Sequence, residues 1–112
     1  MPRPYEPYIP QTTGELWDLI GGMMLDAPTF KDDSGYFPGM SIETEFRALN
    51  GGIDAVRKKI GEERHAALIA LSDRMRALFE ADLEDKTGDS QAGRRLLYEM
   101  EDVLRPERHK GK

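Results

Sequence analysis

The sequence predicts an all-α single domain: a bundle of four to five helices with an extended proline-rich N-terminal arm and a long loop after the first helix. Three observations carry that prediction. Apolar residues recur at spacings of three and four through most of the 112 residues. No stretch of four or more residues alternates apolar and polar side chains as a half-buried strand would. Clusters of Gly, Pro and Asn fall where the periodic stretches end. The length suits one domain at about 100–200 residues per domain, with an arm over residues 1–11, a helical domain over 12–105 and a disordered tail over 106–112.

The arm, MPRPYEPYIP, repeats proline every three residues at Pro4, Pro7 and Pro10, the period of polyproline II. Tyr5 and Tyr8 then share an edge that can lie along the helical core. The first helix is signalled by Thr12 with Glu15 three residues on, a capping-box spacing, and runs over 13–25 with Leu16, Leu19, Ile20 and Met23 as its stripe and Trp17 at the edge. Gly21 and Gly22 inside it each cost about 1 kcal/mol relative to Ala, which suggests close approach of a neighbouring backbone.

Residues 26–39, DAPTFKDDSGYFPG, form a long loop with aromatic anchors at Phe30, Tyr36 and Phe37. Loops of this length are binding loops or ordered Ω-type segments. A short second helix follows with Ser41 as N-cap and Ile42, Phe46 and Leu49 on one face, stopping at Asn50-Gly51-Gly52. A third element places Ile53, Val56 and Ile60 on one face. Gly61 either starts a new helix or is passed through. The longest helix, over 62–83, carries Leu68, Leu71, Met75, Leu78, Phe79 and Leu83 at helical period. After a turn at 84–89, Asp89 or Ser90 caps a last helix to Leu104, where Arg105-Pro106 ends it.

With 21 acidic and 16 basic residues the net charge is −5, so binding that rests on neutralising nucleic-acid phosphates is disfavoured. The absence of cysteine excludes disulfides, thiolate metal sites and a thiol nucleophile. No apolar run is long enough to span a membrane, and prolines stand where a signal peptide would need an apolar segment. A cytoplasmic protein is the expectation.

Chemistry is poorly provided for. His65 and His109 are the only histidines, and neither has an evident partner or a second histidine at metal-ligand spacing. A calcium loop begun at Asp82 would put Lys86 at the fifth position and Thr87 where glycine is required. The paired glycines lack both a P-loop pattern and a preceding strand. The sequence therefore predicts no enzyme, no cofactor and no metal.

Charge is uneven. Residues 1–50 hold eight acids and three bases, whereas residues 51–112 hold 13 of each. If the 26–39 loop and the turn after the long helix share one side of the bundle, Asp32, Asp33, Tyr36 and Phe37 join Glu80, Asp82, Glu84 and Asp85 in an acidic surface with aromatic anchors. Such a surface suits docking of a basic protein. A solvated surface that merely keeps the chain soluble is the plainer reading of the same charges.

The strings TTGELWDLIGGMM, APTFKDDSGYFPG, ALSDRMRALFEAD and GRRLLYEMEDVL resemble a family of small bacterial proteins associated with the immunity proteins of contact-dependent and secreted-toxin systems. The likeness spans residues 12–104. It implies a cytoplasmic protein that binds one cognate toxin, commonly a nuclease or another basic enzyme, and neutralises it by covering a surface needed for activity. The alternative expectation is a self-associating structural or regulatory subunit, a homodimer formed through apolar helix faces. A third, a small hydrolase using carboxylates such as Glu80 and Glu84 with a metal, requires metal-dependent stabilisation.

Overall fold

The computed structural model describes residues 7–27, 29–30 and 41–105. It is all-helical, with α1 (Thr13–Asp26), α2 (Ile42–Ala55), a single turn α3 (Arg57–Ile60), α4 (Glu62–Ala81) and α5 (Asp89–Leu104). The four long helices enclose the core in the order α1, α2, α4, α5, with α5 returning against α1. Each runs antiparallel to its neighbours. Leu16 of α1 lies against Gly52 late in α2, Ser72 of α4 donates to Asn50 of α2 at 2.7 Å, and Phe79 near the end of α4 lies against Gly93 near the start of α5.

The helix starts follow the local chemistry. Thr12 Oγ1 accepts from the Glu15 amide at 3.1 Å, and Ser41 and Thr44 form a reciprocal capping box at 3.3 and 2.9 Å. The ends of α1 and α5 have no basic residue in their own last turns. Each receives an arginine from another helix. Arg94 of α5 donates to the Ala27 carbonyl at 2.8 Å, and Arg64 of α4 donates to the carbonyls of Val103, Leu104 and Arg105 at 2.9 to 3.1 Å. A guanidinium there satisfies orphan carbonyls and complements the negative end of the helix dipole.

The core is built from Leu16, Ile20 and Met23 of α1, Phe46, Leu49 and Ile53 of α2, Leu68, Met75 and Phe79 of α4, and Leu97 and Met100 of α5. Phe30 reaches in from beyond α1 and meets Phe46 and Phe79 edge-on, at ring-centroid distances of 5.8 and 5.3 Å. This aromatic of the loop therefore serves the core.

Several expectations change. α2 does not stop at Asn50-Gly51-Gly52 but continues to Ala55. The glycines make room for the arm: a Cβ on Gly51 would stand 2.8 Å from Ile9, and one on Gly52 would stand 3.1 Å from Pro10 and Leu16. Continuing the helix also buries Ile53, which offsets the glycine cost. Conversely, Gly21 and Gly22, read as close-approach points, have nothing among the described residues within 4 Å of an added Cβ. Gly61 is a true break, with φ +92°. The third element is reduced to one turn, and α4 ends at Ala81, ahead of Leu83. Of the arm, Pro10 is buried while Tyr8 is exposed and donates its hydroxyl to Glu15 at 2.9 Å.

Candidate partner-binding face

The acidic turn looks different in three dimensions from its appearance in the sequence. Glu80 pairs with Arg76 at 3.0 Å, Glu84 with Lys86 at 2.9 Å, and Asp85 with Arg94 at 3.6 Å while also accepting from the Ser90 hydroxyl. Asp82 is only 3% exposed. Its carboxylate accepts from the amides of Lys86, Thr87 and Ser90 at 2.6, 3.1 and 3.0 Å. Burial works to raise its pKa, but the donated bonds from Ser90, Lys86 and Thr87 outweigh it and hold the carboxyl well below the usual range. Asp82 thereby caps α5 from the end of α4. The expected cap by Asp89 or Ser90 side chains is replaced by Gly88 at φ +92° and this borrowed carboxylate. The other expected site residues, Asp32, Asp33, Tyr36 and Phe37, lie outside the described residues.

His65, expected to lack a partner, has one. Its Nε2 lies 2.7 Å from Asp54 Oδ1, tying the start of α4 to the end of α2. Nearby Arg57 makes a bidentate bond to Glu62 at 2.7 to 3.0 Å across the Gly61 break. The Glu62 hydrogen bond holds the arginine above its ordinary value, and the same bond holds the carboxylate below its own. Both pairs brace the corner between helices. Among the described residues no group of three His, Asp or Glu side chains could hold a metal ion, and no helix is long and apolar enough to cross a membrane.

Large apolar side chains are exposed at Leu83 in the acidic turn, at Tyr8 of the arm, and at Leu25 and Tyr98 on α1 and α5. Arg105 stands 5.8 Å over the Trp17 ring at one end of the seam between α5 and α1, and Arg94 reaches Ala27 at the other. Helical spacing places Trp17, Gly21 and Met24 on one line of α1, and Arg94, Tyr98, Glu101 and Arg105 on one line of α5. The contacts of Arg105 with Trp17 and of Arg94 with Ala27 put both lines beside the seam between the two helices. Trp17, Gly21 and Met24 are half-buried. Beside them Leu25 is 86% exposed, and on α5 Tyr98 is 59% exposed.

Charge concentrates on the same two helices. α1 holds Glu15, Asp18 and Asp26 with no base, and α5 holds Asp89, Glu99, Glu101 and Asp102 with Arg94 and Arg95. Seven acids against two bases leave −5, the net charge of the whole chain, and the remaining residues balance at 14 acids and 14 bases. Glu15 is held below the usual carboxylate range by the Gln11 amide, at 2.8 Å, and by the Tyr8 hydroxyl. Asp18 makes no ion pair among the described residues. The signal for this face was in the sequence: α1 is apolar on more sides than one core contact needs and bears charge of a single sign. No protein-family model, curated protein or solved structure matches the chain.

Proposed function

We propose that the chain is a non-catalytic binding protein that holds a basic protein partner against the outer face of α1 and α5. In the cell it acts as an immunity protein or antitoxin, neutralising a cytoplasmic toxin by occluding a surface the toxin needs. One observation carries this reading: the two helices that expose Leu25 and Tyr98 also bear the whole net negative charge. Apolar anchors with a charged rim are the anatomy of a protein interface, and charge of one sign steers a partner of the other. In this reading docking falls on α1 and α5 and not on the turn at Glu80, Glu84 and Asp85, whose carboxylates already face the chain's own bases.

The test is affinity capture from the source cells with the native chain and with Asp18→Lys. The expected result is one basic protein held at low salt, released as salt rises and recovered poorly by the variant. Recovery unchanged by Asp18→Lys would remove this face from the interface. Recovery of the bait alone, sedimenting as a dimer, would favour self-association.

A further inference from the structure

We propose that the notch at Gly51 and Gly52 of α2 is a binding site for an extended segment in which a branched aliphatic residue precedes proline, and that the chain's own arm occupies it as a releasable strap. The site lies where α1 meets α2 and does not depend on the docking reading above. Its chemistry is shown by its present occupant. A Cβ on Gly51 would stand 2.8 Å from Ile9, and one on Gly52 would stand 3.1 Å from both Pro10 and Leu16. Pro10 is buried there and Ile9 is half-buried. Two successive glycines inside a helix cost stability, so α2 forgoes two side chains at the place where the arm lies.

The arm is attached as a ligand is, by side chains. Among the described residues Ile9 and Pro10 make no backbone hydrogen bond to α2. The Ile9 carbonyl instead accepts from Gln11 Nε2 within the arm, at 2.9 Å. The polar ties of the arm to α1 converge on one atom, Glu15 Oε1, which accepts from the Tyr8 hydroxyl at 2.9 Å and from the Gln11 amide at 2.8 Å. Both bonds lie at the surface, and Tyr8 is 67% exposed. A segment held by apolar packing and one exposed carboxylate opens at lower cost than the whole domain unfolds. Pro7 and Pro10 restrict the backbone of the open arm, so it loses less freedom on docking than a flexible chain would. The same economy makes extended proline-containing segments recurrent ligands between molecules. Release of the arm leaves the Gly51-Gly52 backbone beside Leu16 as an apolar recess, with Glu15 nearby to take a hydroxyl or amide donor.

The experiment is an amide-shift titration of the isotopically labelled full chain with a synthetic peptide of residues 7–12, Pro-Tyr-Ile-Pro-Gln-Thr, and with the same peptide bearing Ile9→Ser. Three proteins are compared: the native chain, Ile9→Ser, which empties the notch, and Ile9→Ser with Gly51→Ala, which closes it. The native peptide should bind the Ile9→Ser chain saturably, with shifts at Leu16 and residues 49–53. It should bind the native chain at least tenfold more weakly, because the arm competes at high effective concentration. The serine peptide should not bind, and adding Gly51→Ala should abolish binding while the chain stays folded. Tyr8→Phe, which removes one tie to Glu15, should strengthen peptide binding to an otherwise native chain. Equal binding to the native and Ile9→Ser chains, shifts away from the notch, or no binding to a folded Ile9→Ser chain would overturn the site. Unfolding of Ile9→Ser, with no gain in binding from Tyr8→Phe, would make the arm a fixed part of the core and overturn the strap. Shifts at residues 8–11 and 51–52 that grow with protein concentration alone would overturn it in favour of arms exchanged between two copies.

Discussion

The corner where α4 turns into α5 and the outer face of α1 and α5 are built from similar residue types and differ in how those residues are engaged. At the corner Glu80, Asp82, Glu84 and Asp85 are all engaged inside the chain. Asp82 gathers three amides, Asp85 takes Ser90 and Arg94, and Phe79 fills the space left by Gly93. On the outer face of α1 and α5, Gly21 has nothing beside it among the described residues, Leu25 is almost wholly exposed and Asp18 has no ion pair among the described residues. Acidic residues near aromatics therefore mean two different things here: where donors converge on them they hold the fold, and where none do they are available to another molecule.

Breaking the corner should cost the most. Phe79→Ala removes a fully buried ring that touches Phe30 and Phe46, and should destabilise the domain by about 3–5 kcal/mol in urea unfolding. Asp82→Asn should come next and carry a pH signature. The folded carboxyl lies below its unfolded value of about 3.9, so its contribution is present at neutral pH and is lost as pH falls below that value. The stability difference between native chain and variant should shrink steadily on acidification from about pH 5 to pH 2. A constant difference would mean that the cap works by shape alone.

The glycines of α1 should respond in the other direction. Gly21→Ala and Gly22→Ala place a methyl group in open space and should each raise stability by up to about 1 kcal/mol, read as a higher melting temperature. Destabilisation at either position would show that something in the chain does use the gap. Smallest of all, Glu80→Gln and Glu84→Gln remove exposed ion pairs with Arg76 and Lys86 and should change stability by no more than about 0.5 kcal/mol.

Much of the fold was legible because helical periodicity and capping are local. Thr12 with Glu15 and Ser41 with Thr44 mark starts within four residues, and the stripe of α4 announces its own core face. The sequence could not reveal what depends on partners distant along the chain. Asn50-Gly51-Gly52 reads as a stop until Ile9 and Pro10 are seen lying in it. Asp82 reads as one more acid in a run until the amides of the following turn are folded onto it, and Asp54 is 11 residues from the His65 it meets. Of the candidate site, the acidic run at 80–89 was legible as a run, but not that Glu80, Glu84 and Asp85 meet Arg76, Lys86 and Arg94 and that Asp82 gathers backbone amides, because those partners are set by the turn and by α5.

The central claim is tested most directly by calorimetric titration of the captured basic partner into three proteins. These are the native chain, a face variant carrying Asp18→Lys with Leu25→Lys, and a turn variant carrying Glu80→Lys with Glu84→Lys. The account predicts at least about tenfold weaker binding, or roughly 1.4 kcal/mol, for the face variant and little change for the turn variant. Full affinity in the face variant, with the loss falling on the turn variant instead, would contradict it.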